Sequence, residues 1–329
     1  MTLILLAVLA LAVAFDYING FHDTANAIAT SVSTRALRPE RAILLSATAN
    51  FLGALTGTAV AKTIGSGIVH QTDTNMTVIA AALVGGITWN LVTWRIGLPS
   101  SSSHSLIGGL LGGSIAAAGL ESINVDGLRD KILIPLVSSP VLGLLIGFLL
   151  MVILLNLFRR ASPRRLNDRF RRLQVLSATF MAFSHGSNDA QKTMGVMSLA
   201  LFTAGVIPTF DIPVPIILVA ATAISFGTAA GGWRIMKTMG QKVVKLDPIH
   251  GFAAETTAAS IIFGASHFGI PVSTTHVISA AIMGVGSSDR FSAVRWGVAG
   301  DIVTAWVLTI PAAGLVAGIA YVLLRPILG

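Results

Sequence analysis

The sequence predicts an all-α integral membrane protein. It would consist of two inverted repeats of about five crossings each, with broken or re-entrant helical hairpins meeting at mid-membrane. Three observations predict this. The 329 residues are 53% hydrophobic and only 11% charged, whereas a soluble domain carries about a quarter charged residues. Apolar stretches long enough to span roughly 30 Å of hydrocarbon recur along the chain. Two polar motifs also occur twice in the same order. Gly20-Phe21-His22-Asp23 and Gly97-Leu98-Pro99-Ser100-Ser101-Ser102-Ser103-His104 precede Gly186-Ser187-Asn188-Asp189 and Gly269-Ile270-Pro271-Val272-Ser273-Thr274-Thr275-His276, at offsets of 166 and 172 residues.

The elements follow in order. Apolar segments fall near 2–18, 41–61, 76–95, 105–118 and 132–158, and again near 173–202, 214–236, 249–267, 276–287 and 294–323. No Lys or Arg precedes the first run, so it reads as a retained helix and not a cleaved signal. Between the two sets, 159–172 carries seven arginines against Asp168, which no span tolerates. The predicted organisation is a first transmembrane repeat at 1–158, a basic cytoplasmic linker at 159–172 and a second repeat at 173–329. The segments 62–75 and 203–213 are short loops. Abundant Gly and Ala suit close helix packing in lipid, and no alternating ten-residue strands suggest a β-barrel.

Charge sets the orientation. With the N-terminus outside, 17 of the 22 basic residues fall on inside loops, as the positive-inside rule requires. Five crossings per half then invert the second repeat relative to the first. The net charge of +8 sits in short loops, which argues against a nucleic-acid partner. There is no cysteine, so neither disulfides nor thiolate metal sites arise.

The polar motifs carry the chemistry. Pro99 and Pro271 interrupt helix because proline lacks a donor. Irregular backbone at membrane depth must be buried in protein or line a wet cavity. Ser101, Ser102 and Ser103, with Ser273, Thr274 and Thr275, place hydroxyls where a new helix begins, and helix N-termini attract anions. Two such termini meeting would cradle a small tetrahedral oxyanion. N-capping is the competing reading of those hydroxyls. Asp23 and Asp189 are costly in lipid and need partners, water or a cation. Asp23 with Asn26, one turn on, and Asp189 are candidate sodium ligands. Lys192 occupies the position matching Asn26 and is a candidate charge partner or anion attractor. Glu255 is a candidate proton carrier or cation ligand. Asn50, Asn90 and Asn188 line the cavity or bond between helices. His104 and His276 are candidate braces or gates. Duplicated chains with matched interruptions point to secondary transporters. A passive channel and an intramembrane hydrolase are the rivals. Against the hydrolase, no Gly-x-Ser-x-Gly or His-Glu-x-x-His motif occurs.

At these residues the chain resembles the inorganic phosphate transporter (phosphate permease) family. The motif Gly20-Phe21-His22-Asp23-Thr24-Ala25-Asn26-Ala27 is similar to that family's Gly-Ala-Asn-Asp-Val-Ala-Asn-Ala signature. The Pro-Ser elements at 97–104 and 269–276 match its paired motif, and the run Phe183–Gly195 resembles its short bacterial and archaeal branch. The resemblance implies symport of inorganic phosphate with sodium or protons across the plasma membrane, no cofactor beyond the coupling ion, and a homodimer. It places function on Asp23, Asn26, Asp189, Glu255 and the two hydroxyl clusters. His22, Asn50 and Lys192 depart from the family pattern and bear on strict sodium coupling. Sulfate is the alternative anion.

Overall fold

A computed structural model describes residues 3–70 and 74–328, and the regular elements among them are all helical. The first half runs α1 (Leu3–Ser33), α2 (Pro39–Ala54), α3 (Ala59–Ser66), α4 (Met76–Ile96), α5 (Ser102–Ala118), α6 (Val125–Leu128) and α7 (Ile134–Leu157). The second runs α8 (Pro163–Thr203), α9 (Val214–Ala230), α10 (Trp233–Lys237), α11 (Pro248–His267), α12 (Thr274–Asp289) and α13 (Trp296–Leu328). A π-helical turn at Arg129–Leu133 fuses α6 and α7 into one apolar rod.

Both Pro-Ser interruptions form as the sequence predicts, and they form alike. Helix α4 ends at Gly97 and α11 is followed by Gly269, both left-handed at φ +72° and +69°, a conformation glycine adopts without Cβ strain. The next amide closes each end: Leu98 N–H donates to Thr93 O and Ile270 N–H to Ala265 O, satisfying carbonyls that a helix end leaves open. Proline then prevents the helix from resuming at once. Each new helix starts from a serine cap, Ser101 accepting from His104 N–H and Ser273 from His276 N–H, both at 3.2 Å.

The Gly-x-x-Asp motifs behave differently from the expected interruptions. Asp23 lies inside the unbroken 31 residues of α1 and Asp189 inside the 41 of α8. A lone glycine is tolerated in a helix at about 1 kcal/mol, so neither motif ends one. Gly20 and Gly186 serve helix crossing instead. A Cβ on Gly20 would stand 2.3 Å from Ile224 O on α9, and one on Gly186 would stand 2.1 Å from Asn50 O on α2.

Other boundaries shift too. The predicted 41–61 span bends by 72° between α2 and α3, and its mate bends by 62° after α9. Of the predicted 62–75 loop, residues 62–66 are helical, and 71–73 lie outside the described residues. The arginine-rich 159–172 is a short turn followed by the opening turns of α8.

The halves interlock by exchange. Helix α5 packs on α13 while α12 packs on α7; α4 packs on α13 while α11 packs on α7; α1 packs on α9 while α8 packs on α2. Each pair maps onto its mate when the two halves trade places. Four described helices (α1, α4, the α6–α7 rod and α13) are long and apolar enough to cross a membrane alone, and the two bent pairs raise this to six. Helices α5, α8, α11 and α12 fall short of that mark. They hold the polar motifs and face protein, so they need no apolar stripe toward lipid.

Candidate substrate and cation site

The two interruptions meet. Ser103 Oγ lies 3.5 Å from Val272 O, and the rings of His104 and His276 sit 4.7 Å apart. Ser102, Ser103, Thr274 and Thr275 are all buried, at 4% exposure or less. Two helix N-termini therefore converge inside the protein, where their partial positive charges favour an anion.

The aspartate helices supply the facing side. Thr274 donates to Asp189 Oδ2 at 2.9 Å. The Lys192 ammonium donates to Asp189 Oδ1, to Ser103 Oγ, and to Val272 O at 3.0 Å. One ammonium thus ties α8 to both interruptions. From α1, Asn26 Nδ2 donates to Thr275 Oγ1 at 2.9 Å, while its Oδ1 is buried without a hydrogen-bond partner. Asp23 and Asp189 come together across α1 and α8: with His185 they offer ligand atoms within 4.8 Å of one another. That donor set can hold a cation. Among the predicted residues, Asp23, Asn26, Asp189, Lys192, Ser102, Ser103, Thr274 and Thr275 form one buried constellation. Ser101 and Ser273 belong to it mainly as the caps described above.

The remaining candidates have other partners. Glu255 bonds to none of the residues just named. Its carboxylate accepts from Thr30, from Gln174 Nε2 at 3.1 Å and from Ser177, in a buried cage one turn beyond Asn26. Asn90 accepts from Ser105 Oγ at 2.7 Å and braces the first hairpin. Asn188 donates to Ser266 Oγ at 2.9 Å and braces the second. The His104 and His276 rings meet at a tilt of 44°; His276 stacks 4.1 Å from the Trp306 ring, and neither of its ring nitrogens has a hydrogen-bond partner.

Sequence reasoning named Lys192 as a charge partner but missed the histidine partners of the two acids. His22 Nδ1 contacts Asp23 Oδ1 at 2.7 Å and His185 Nε2 lies 2.9 Å from Asp189 Oδ2. The i,i+4 spacing of His185 and Asp189 on one helix face was a legible signal. Asn50 bonds between helices, one of the two roles read for it, donating to Thr228 Oγ1 and lying 3.0 Å from His185 Nδ1; its partners were not legible, because both come from the other half.

Comparison with known proteins now decides the family. A model described as the phosphate transporter family matches residues 19–317. The chain belongs to that family. It is 48% identical over 319 residues to a Bacillus subtilis (strain 168) protein named "Probable low-affinity inorganic phosphate transporter", covering 96% of each chain. A Rhizobium meliloti (strain 1021) protein of the same name is 49% identical over 320 residues, covering 97% of this chain and 96% of its own. A solved structure described as "The sodium-dependent phosphate transporter" superposes with a TM-score of 0.92 at 28% identity, covering 99% of this chain and all of that one. The fold is therefore that of a membrane transporter, not an enzyme.

Proposed function

We propose that this transporter family member imports inorganic phosphate by symport with sodium or protons, through alternating access. One observation carries the proposal: two hydroxyl-fringed helix N-termini converge beside Asp23 and Asp189. The hydroxyls and backbone amides would take the anion, and Asp23 with Asn26 Oδ1 would take the mobile cation. The similar transporter of solved structure is described as sodium-dependent, which favours sodium as that cation.

For the membrane potential to drive a phosphate monoanion inward, at least two cations must accompany it. An inward potential supplies about 2.3 kcal/mol per net charge at 100 mV, so a phosphate monoanion gains nothing from it with one companion. Lys192 already neutralises Asp189 and does not travel, so the moving cations must bind elsewhere. Alternating access would come from one half rocking against the other about the shared pocket. Two inverted repeats would give that motion its symmetry, and the exchanged packing of the halves supports them.

We also propose that the N-terminus faces outward and the arginine-rich turn faces the cytoplasm of a plasma-membrane protein. Arg35, Arg171, Lys245 and Arg295 come from four segments assigned inside, and all four line one cleft of about 580 Å³. A basic mouth of that kind attracts anions. The family resemblance adds a homodimer, which light scattering of the detergent-purified protein would test.

The deciding experiment is uptake of labelled phosphate and sulfate into proteoliposomes under separate sodium and proton gradients. Phosphate uptake is expected, falling to background in both Asp23→Asn and Asp189→Asn. Wild-type uptake in either variant removes the site proposed here, and preferential sulfate uptake replaces the substrate.

A further inference from the structure

Each half carries a short arm beyond its bend, and each arm holds the other half's hairpin. Helix α3 follows α2, and its Thr63 Oγ1 donates to Gly269 O at 2.7 Å. Helix α10 follows α9, and Thr238, in the π-helical turn Thr238–Lys242 that continues it, donates to Gly97 O at 2.9 Å. The two threonines are 175 residues apart and the two glycines 172, so the bonds are mates. Both acceptors belong to the left-handed glycines at which the interruptions begin, where the helix supplies its last carbonyls no donor. The backbone of each arm lies there too. A Cβ on Gly269 would stand 3.1 Å from Ala59 O, and one on Gly97 would stand 3.6 Å from Arg234 O. A second bond anchors each arm: Val60 N–H donates to Gln191 Oε1 of α8, and Arg234 Nη1 to Arg95 O, both at 2.8 Å.

The arms lie at opposite ends of the molecule. Met236, Lys237 and Gln241 line a cavity with Ala29, Val32 and Ser33, at the end of α1. Helix α2 starts from that same end and runs 16 residues, about 24 Å, before α3 turns off it. Between the arms, Asp23, Asn26, Ser102, Ser103, Thr274 and Thr275 are all at 4% exposure or less. We propose that Thr63 and Thr238 are positioning residues for transport: each hydroxyl latches one hairpin shut over the pocket, and opening to either face breaks one latch while its mate holds. The proposal rests on the alternating-access reading above. A single neutral hydrogen bond shifts an equilibrium by about fivefold, enough to favour closure and weak enough to break in every cycle. Thr63 also has somewhere to retreat when the hairpin leaves. Its hydroxyl lies 3.4 Å from Ala59 O, one turn back on its own helix, the usual acceptor for a helical threonine.

The chain has no cysteine, so a single thiol can report access to the pocket. Ser102 suits it, because its hydroxyl has no hydrogen-bond partner among the described residues. The test applies a membrane-impermeant thiol reagent to the full-length Ser102→Cys protein in right-side-out and in inside-out vesicles. Adding Thr63→Val should speed labelling about fivefold from one face only, and adding Thr238→Val should do so from the opposite face only. Thr63→Ser and Thr238→Ser, which keep the hydroxyl, should label at the parent rate. A threonine that only holds the fold together would lower the melting temperature without favouring a face. Unchanged labelling in both valine variants, or an equal rise at both faces, would overturn the proposal. If one valine variant does not fold, the other decides with its serine control. Sided labelling in a protein whose wild type takes up no phosphate would keep the latches and remove the transport reading instead.

Discussion

The two halves of the chain share a scaffold and differ in chemistry. Gly20 crosses α9 as Gly186 crosses α2, Gly97 turns as Gly269 turns, and Ser101 caps as Ser273 caps. The polar interior breaks that symmetry. Asp23 contacts His22, and Asn26 one turn on keeps an unpartnered amide oxygen, while Asp189 is held by Lys192 and His185. Glu255 sits among Thr30, Gln174 and Ser177; at the matching offsets stand Leu83, Val196, Val8 and Leu11. Leu83, Val196 and Val8 are buried in an apolar core. The fold therefore tolerates hydrocarbon where the second half keeps a carboxylate.

Lys192 gives the largest test of that contrast. Lys192→Met leaves Asp189 buried with only His185 and Thr274, and it also releases Ser103 and Val272 O from the ammonium. Breaking a buried pair from one side costs about 3–5 kcal/mol, so thermal unfolding should move down by many degrees and uptake should vanish. Lys192→Asn instead copies the first half. It reopens the second acid to a mobile cation, and the Hill coefficient for sodium in phosphate uptake should rise. An unchanged sodium dependence with full activity would mean that the ammonium does not fill a cation position.

The crossings come next. Gly20→Ala and Gly186→Ala each push a methyl against a carbonyl oxygen that would lie 2.3 or 2.1 Å away, and backbone cannot yield as a side chain can. Overpacking of this kind costs about 1–3 kcal/mol. The two variants should lower the unfolding temperature by similar amounts, because the contacts are mates. A large difference between them would show that the scaffold is less symmetric than its packing pairs indicate.

How much of this was legible beforehand follows from the same division. The breaks at 97–101 and 268–273 were readable because glycine, proline and serine act on their own neighbours, through φ, the missing donor and the cap. The bend between α2 and α3 was not, since no proline marks it. Nor was the continuity of α1 through Asp23: a charged residue looks like the end of a span until another part of the chain is known to cover it. Local spacing exposed Asp23, Asn26 and Lys192 as candidates. The cage around Glu255 depends on side chains 78, 81 and 225 residues away, and no short window of sequence contains it.

The smallest predicted effects fall on the two caps, which sharpen the comparison from its structural side. Ser101 and Ser273 each accept one amide hydrogen bond at 3.2 Å, and replacing such a cap by alanine costs about 1 kcal/mol. Ser101→Ala and Ser273→Ala should therefore each lower stability slightly and equally, and leave most phosphate uptake in place. Their neighbours should behave otherwise. Ser103 carries the Lys192 contact and Thr274 the bond to Asp189, so Ser103→Ala and Thr274→Ala should raise the phosphate concentration for half-maximal uptake with little change in unfolding temperature. If the caps prove as damaging to uptake as Ser103 and Thr274, the cap hydroxyls themselves reach the anion, and the division between holding the helix and holding the ligand does not run between adjacent residues.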